Sequence, residues 1–445
     1  MREYLKFRFS LSCVSLVIFV YTKITKRYAE KSDSYRFMVT STEKISKLLI
    51  DPAELRVQVE VIVNSTPVVD VHTHLFPPEF NGLCLFGIDE LLTYHYLTAE
   101  TFRSAKLSPE QFWKLSKTDQ ADLVWQTLFV ENTPTSEAAR GIISVLDAFG
   151  LDTRAPNLTE ARAFFNSRNL PEHIDRVFAI AQVSGVVMTN DVMDEAESKV
   201  WKDGISIDRR FKSALRLDGL LNNWKEASSS SRLRHLLDQW IQELNPVYMA
   251  VSLPADFKFP ADDVRDRLLR EVILPAAKDH KLALTLMVGV RRGVNPELRE
   301  AGDGLGRADM TAIERLCLEY PEVKFLATFL SRENQHELCV AARKFSNLMP
   351  FGCWWFLNNS SIVSEITRER FELLGQSFIP QHSDARVLEQ LICKWKHARR
   401  QIADALYESY EQLLNSGRAV TPEEISRDVN RMFAGNFYEW IGAKG

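Results

Sequence analysis

The apolar positions of this chain fall into short β-branched runs separated by amphipathic stretches. The first run, Pro67-Val68-Val69-Asp70-Val71, is bounded by Pro67 and by Pro77-Pro78 and predicts a buried strand. A long stretch with helical signals follows over 75–182. Within it Ser108-Pro109-Glu110-Gln111 spells a capping box with proline at the first helical position, 136–149 and 171–182 carry helical periodicity, and Gly150 is placed to stop a helix. From there strand and helix alternate. Strands are predicted at 185–189, 214–217, 247–253, 282–289, 323–330, 350–356 and 378–383, and helices at 232–244, 262–278, 310–319, 335–345 and 362–374. The tail is helical, with a long element over 387–415 that Gly417 can end. A second capping box, Thr421-Pro422-Glu423-Glu424, opens the last helix.

This alternation predicts an α/β fold: a distorted (β/α)8 barrel of the TIM type over 41–445, with a helical insertion at 75–182 after the first strand and a helical C-terminal tail. A doubly wound sheet is the alternative architecture, but the chain has no GxGxxG and no P-loop. Residues 1–40 form a separate, poorly defined N-terminal segment. Its apolar run, 9–21, is flanked by Arg2, Lys6 and Arg8 and by Lys23, Lys26 and Arg27, and is shorter than a bilayer span requires. A signal anchor and an over-long start, with Met38 as the first residue, both fit it.

Composition narrows the class. In 445 residues, 45% hydrophobic and 26% charged, there is ample material for a large core. A net charge of −4 without a basic stripe gives no electrostatic case for nucleic acid. Cys13, Cys84, Cys317, Cys339, Cys353 and Cys393 are scattered without a CxxC, which suits a reduced, cytoplasmic protein better than a disulfide framework.

The chemistry starts at His72 and His74. Side chains at i and i+2 of a strand share a face, so both imidazoles leave the end of the first strand together, close enough to hold one metal ion. In a barrel, active-site residues gather at the C-terminal strand ends. There the eighth predicted strand runs into His382-Ser383-Asp384-Ala385-Arg386. Asp384 would complete a two-histidine, one-carboxylate set suited to Zn²⁺, Fe²⁺ or Mn²⁺, with positions left open. The competing reading makes Asp384 the N-cap of the helix that follows.

Taken in order, His72-Thr73-His74-Leu75 with Pro78-Glu79, then His95-Tyr96, Arg292, the GCWWF run from Gly352 to Phe356, and Ser383-Asp384-Ala385-Arg386 resemble the uronate (glucuronate) isomerases of the amidohydrolase superfamily. The resemblance runs from about Leu49 to the C-terminus. Thr189-Asn190-Asp191 is similar to the family's Thr-x-Asp-Asp stretch, and Leu215-Arg216-Leu217-Asp218 to its Phe-Arg-Pro-Asp segment. The resemblance implies aldose–ketose isomerisation of a hexuronate, D-glucuronate to D-fructuronate or D-galacturonate to D-tagaturonate. A hexuronate partner, one divalent ion with Zn²⁺ as the first candidate, neither nucleic acid nor membrane, and either a monomer or a homo-oligomer are expected. A uronate carries a carboxylate, which arginine binds with a planar fork. Arg216, Arg292 and Arg386, each near a predicted strand end, are the candidates. Tyr96 matches the family's active-site tyrosine, so Tyr96, Asp384 and Arg386 form the expected catalytic group. Trp354 and Trp355 alternate along the seventh predicted strand, so only one of them should face the sugar pocket.

Two positions depart from the family pattern. Met287 stands where members usually carry a histidine at the end of the fifth strand. Ser252-Leu253-Pro254-Ala255-Asp256 replaces an Asp-His-Gly segment, with Asp256 as the nearest acid. A thioether cannot transfer protons. Two alternatives therefore stand: a metal-dependent hydrolase or decarboxylase acting on another small carboxylic acid, and a binding protein that has lost the chemistry.

Overall fold

The computed structural model describes residues 52–222 and 229–442. The expectations for the N-terminal run and for Cys13 lie outside them. Among the described residues no helix is long and apolar enough to cross a membrane, and five free cysteines are present.

Seven parallel strands form one curled sheet: β1 (Val68–Thr73), β2 (Val183–Asp191), β3 (Phe211–Arg216), β4 (Tyr248–Pro254), β5 (Ala283–Arg291), β7 (Phe325–Phe329) and β8 (Leu348–Pro350), with the two-residue β6 (Gly304–Leu305) antiparallel to the end of β5. Strands β1 to β5 follow the predicted positions. Between β1 and β2 the chain is helical, from Pro78–Leu83 to Leu170–Ala181. Both capping boxes form with both of their hydrogen bonds, and Gly150 ends Glu137–Phe149 in the left-handed region. The expected helix over 262–278 begins at Val264 and reaches His280. It carries a π turn at Leu269–Ile273 just before Pro275, whose missing N–H cannot continue the ladder.

The last two predicted strands need correction. The seventh ends at Pro350 rather than Phe356, because Gly352 (φ 64°) and Trp355 (φ 45°) leave the extended region. The eighth, over 378–383, is reduced to one bridge between Phe351 and Ile379. Pro380 has no N–H to offer a ladder, and Asp384 sits at φ 50°. The segment still occupies the eighth place. Ile379 bonds to Pro350 and Gly352 of one neighbour, while Asp384 N–H donates to the His72 carbonyl and His74 N–H to that of Ala385. These few bonds close the ring into a distorted (β/α)8 barrel. Asp70, buried on β1, fastens the same seam by accepting from Ser383 N–H (3.0 Å) and Trp395 Nε1–H (2.8 Å). Burial pushes the Asp70 carboxyl up to about 6 against these donors.

The barrel interior is filled by Val69, Val71, Val187, Ala214, Tyr248, Ala250, Leu326, Met349 and Phe351, with Phe437 of the C-terminal helices packed against them. The helix Gln390–Asn415 lies across the insertion and buries Trp395, Ile402 and Leu406 against it.

Candidate active site

The C-terminal ends of the strands open into a cavity lined by His72, His74, His95, Thr189, Arg216, Asp218, Ser252, Met287, Arg292, Trp354, Trp355, Asp384 and Arg386. The ladder between β1 and β2 is irregular from Asp70 to Thr73. Val71 and His72 therefore both face inward although they are adjacent in sequence. Asp384 arrives from the seam. Its left-handed conformation, which aspartate tolerates better than most residues, turns the carboxylate towards the two imidazoles. Oδ1 lies 3.6 Å from His72 Nε2 and 3.3 Å from His74 Nε2. It is no helix cap, since the following helix starts at Gln390 after Glu389.

Two hydroxyls orient the imidazoles. Tyr248 donates its O–H to the Val71 carbonyl (2.7 Å), so its oxygen can only accept from His72 Nδ1–H at 3.2 Å. Thr189 donates to the Thr73 carbonyl (2.7 Å) and lies 3.1 Å from His74 Nδ1. Both rings are thereby set with the proton on Nδ1 and the lone pair of Nε2 facing Asp384. Burial also holds both imidazoles below the ordinary histidine range, in the neutral form. Two lone pairs and a buried carboxylate oxygen that lacks a hydrogen-bond partner thus converge, and the three ligand atoms lie within 4.8 Å of one another. A divalent cation fits this donor set and would relieve its mutual repulsion. Tyr248→Phe and Thr189→Val should each weaken metal affinity about tenfold, measured by competition with a chromogenic chelator. Unchanged affinity in both would remove the orienting role.

The arginines and tryptophans converge on the same cavity. Arg216 ends β3 and pairs with Asp218 (3.2 Å). Arg292 follows β5, pairs with Asp303 and lies 5.8 Å from the centre of the Trp355 ring. Arg386 pairs with Glu300 (2.9 Å). Trp354 and Trp355 both line the wall, not one of them as expected, because they sit on a turn with Trp355 at positive φ instead of alternating along a strand. Met287 packs with them. Asp256 lies exposed in the turn after β4, away from the wall.

The member of the His95-Tyr96 pair on the wall is His95. Tyr96 stands behind it, its ring against Phe356 and 5.7 Å from the Lys394 ammonium, with its hydroxyl buried and unpartnered. His95 Nε2 is likewise buried without a partner, and burial together with Arg386 lowers its pKa to about 3, so the ring is neutral. Tyr248 escaped sequence reasoning. Its only signal was a tyrosine opening an otherwise apolar strand.

No family model and no curated protein matches the chain. Solved structures do. A uronate isomerase from Bacillus halodurans C-125 is 47% identical, with a TM-score of 0.87 over 89% of this chain and 98% of that one. A uronate isomerase from Thermotoga maritima (14% identity, TM-score 0.65, 89% and 98% of the two chains) and a glucuronate isomerase from Caulobacter crescentus (14%, 0.62, 88% and 96%) share the fold. Near-complete coverage at 47% identity leaves no other assignment: the chain belongs to the uronate isomerase family.

Proposed function

We propose that the chain is a metal-dependent aldose–ketose isomerase of hexuronates, converting D-glucuronate to D-fructuronate or D-galacturonate to D-tagaturonate. The observation that carries this reading is one cavity that holds His72, His74 and Asp384 beside the guanidinium groups of Arg216, Arg292 and Arg386. The arginines suit a substrate that is both a carboxylate and an oxyanion former. The metal, Zn²⁺ in this proposal, would be held by His72, His74 and Asp384 and would polarise the substrate's carbonyl and hydroxyl oxygens.

The residues account for the rest. Isomerisation removes the C2 proton, passes through an enediolate, and returns a proton to C1 as the C2 hydroxyl becomes the ketone. Arg386, next to Asp384 in sequence and on the cavity wall, is suited to hold the developing negative charge at O1, and Arg292 to anchor the distant carboxylate. Asp384 is the wall carboxylate suited to accept the proton, because Asp218 is held by Arg216, and neutral His95 is placed to hydrogen-bond the substrate. Trp354, Trp355 and Met287 exclude water from the enediolate.

Proton NMR of the metal-loaded protein with each aldose in D₂O tests the proposal. The ketouronate should appear, with deuterium entering C2 of the recovered aldose. No change in either sugar with metal bound would overturn it.

A further inference from the structure

A second polar cavity, of about 230 Å³, opens among the helices and shares no lining residue with the cavity at the strand ends. Three helices converge there. Glu137–Phe149 contributes Glu137, Arg140, Gly141 and Ser144, one face at i, i+3, i+4 and i+7. Gln390–Asn415 contributes Lys396, His397 and Arg400. The 15-residue helix Ser360–Leu374 points its first residue, Ser360, at the cavity, and so presents the positive end of its dipole. Gly141 lets the first two helices approach, since a Cβ there would stand 3.3 Å from Cys393 Sγ.

The wall gathers three cationic side chains on one small cavity. Arg140, Lys396 and Arg400 form no ion pair among the described residues. Glu137, the one acid of the wall, makes none either, and Lys394 lies behind it as a further buried cation. His397 turns a buried, unpartnered Nε2 into the group, and burial with Arg140 and Lys394 lowers its pKa to about 4, so it meets a ligand as a neutral ring.

We infer that this cavity is a binding site for a small phosphate-class oxyanion, clamped by Arg140 and Arg400, with Lys396, the Ser144 hydroxyl and the amino end of Ser360–Leu374 completing the cradle. Forked guanidinium groups and a helix amino end are the chemistry that recognises phosphate oxygens. The volume falls below the roughly 300 Å³ at which drug-sized pockets begin. It admits inorganic phosphate or a phosphoryl group on a short carbon chain.

Isothermal titration at fixed ionic strength, with inorganic phosphate and separately glycerol 3-phosphate as probes and chloride as the control, tests the site on the full chain. Saturable binding of at least one probe should weaken about tenfold or more in Arg140→Ala and in Arg400→Ala. Tighter binding of glycerol 3-phosphate than of phosphate assigns the phosphorylated metabolite, and the reverse order assigns the free ion. Both arginines are exposed, so circular dichroism should show both variants folded, and the charge-reversed Arg400→Glu should abolish binding. Two results would overturn the site: no saturable heat with either probe, or equal affinity in wild type and both alanine variants. The second places the anion elsewhere, the barrel mouth included.

Discussion

Asp384→Ala is expected to empty the metal site and to lower hexuronate isomerisation by at least about a hundredfold. Removing a direct ligand should exceed the 10–100-fold cost of losing an orienting partner. The loss has two causes. His72 and His74 alone give two neutral donors, too few for the tetrahedral set that a divalent ion prefers, and Asp384 is also the wall carboxylate suited to take the C2 proton. Asp384→Asn keeps the shape but not the charge and should bind metal more weakly than wild type. Elemental analysis after exhaustive dialysis reads both variants. Full metal content in either would refute the three-ligand site. In the wild type, burial keeps the imidazoles neutral below the ordinary histidine range, so protons compete poorly for Nε2. Metal content should therefore stay level from pH 8 down to about 5.5, where exposed histidines of pKa near 6.5 would already be largely protonated.

Gly352→Ala should cost about 3 kcal/mol of stability and distort the site. At φ 64° an L side chain is strained by roughly 1–2 kcal/mol, and a Cβ there would stand 2.1 Å from His382 Cδ2, an overpacking worth about 1–3 kcal/mol. The backbone cannot yield. Gly352 N–H is bonded to the Ile379 carbonyl and its own carbonyl accepts from buried Arg370 at 2.8 Å. The His382 ring must move instead, and it packs between Phe351 and His72 at 4.8 and 5.1 Å. Thermal unfolding should show the loss, and chelator competition should show weakened metal binding. A variant with wild-type midpoint and metal affinity would disprove the account.

Strands β1 to β5 were legible because each carries a short apolar core between turn or helix signals, and His72, His74 and Asp384 because strand parity and the barrel's active end constrain where ligands can lie. The arginines followed from motif position. What was illegible has no period. The turn at Gly352–Trp355 keeps the composition of a strand while two positive φ angles break its geometry, so both tryptophans reach a wall that alternation would allow to only one. The eighth strand looked apolar enough, but Pro380 and the bend at Asp384 leave it few ladder bonds. Tyr248 and Thr189 act across 176 and 115 residues of sequence, a range over which one chain gives no hint of partnership. His95 and Tyr96 are neighbours on a short helix, where a single position decides which ring meets the cavity.

The weakly bonded seam has a consequence for how this enzyme ages and fails. Asp70 and Ser383, which meet across it, are 313 residues apart in the chain, and the proposed ligands divide across the same line, the histidines at the end of β1 and the aspartate opposite. A cation bound there would rivet the first strand to the last segment of a cylinder that otherwise closes on a handful of bonds. It constrains one of the longest loops this chain can form, and loop-closure entropy grows with length. Fold stability would then track free metal concentration by mass action, and chelation should lower the thermal midpoint of the metal-loaded protein.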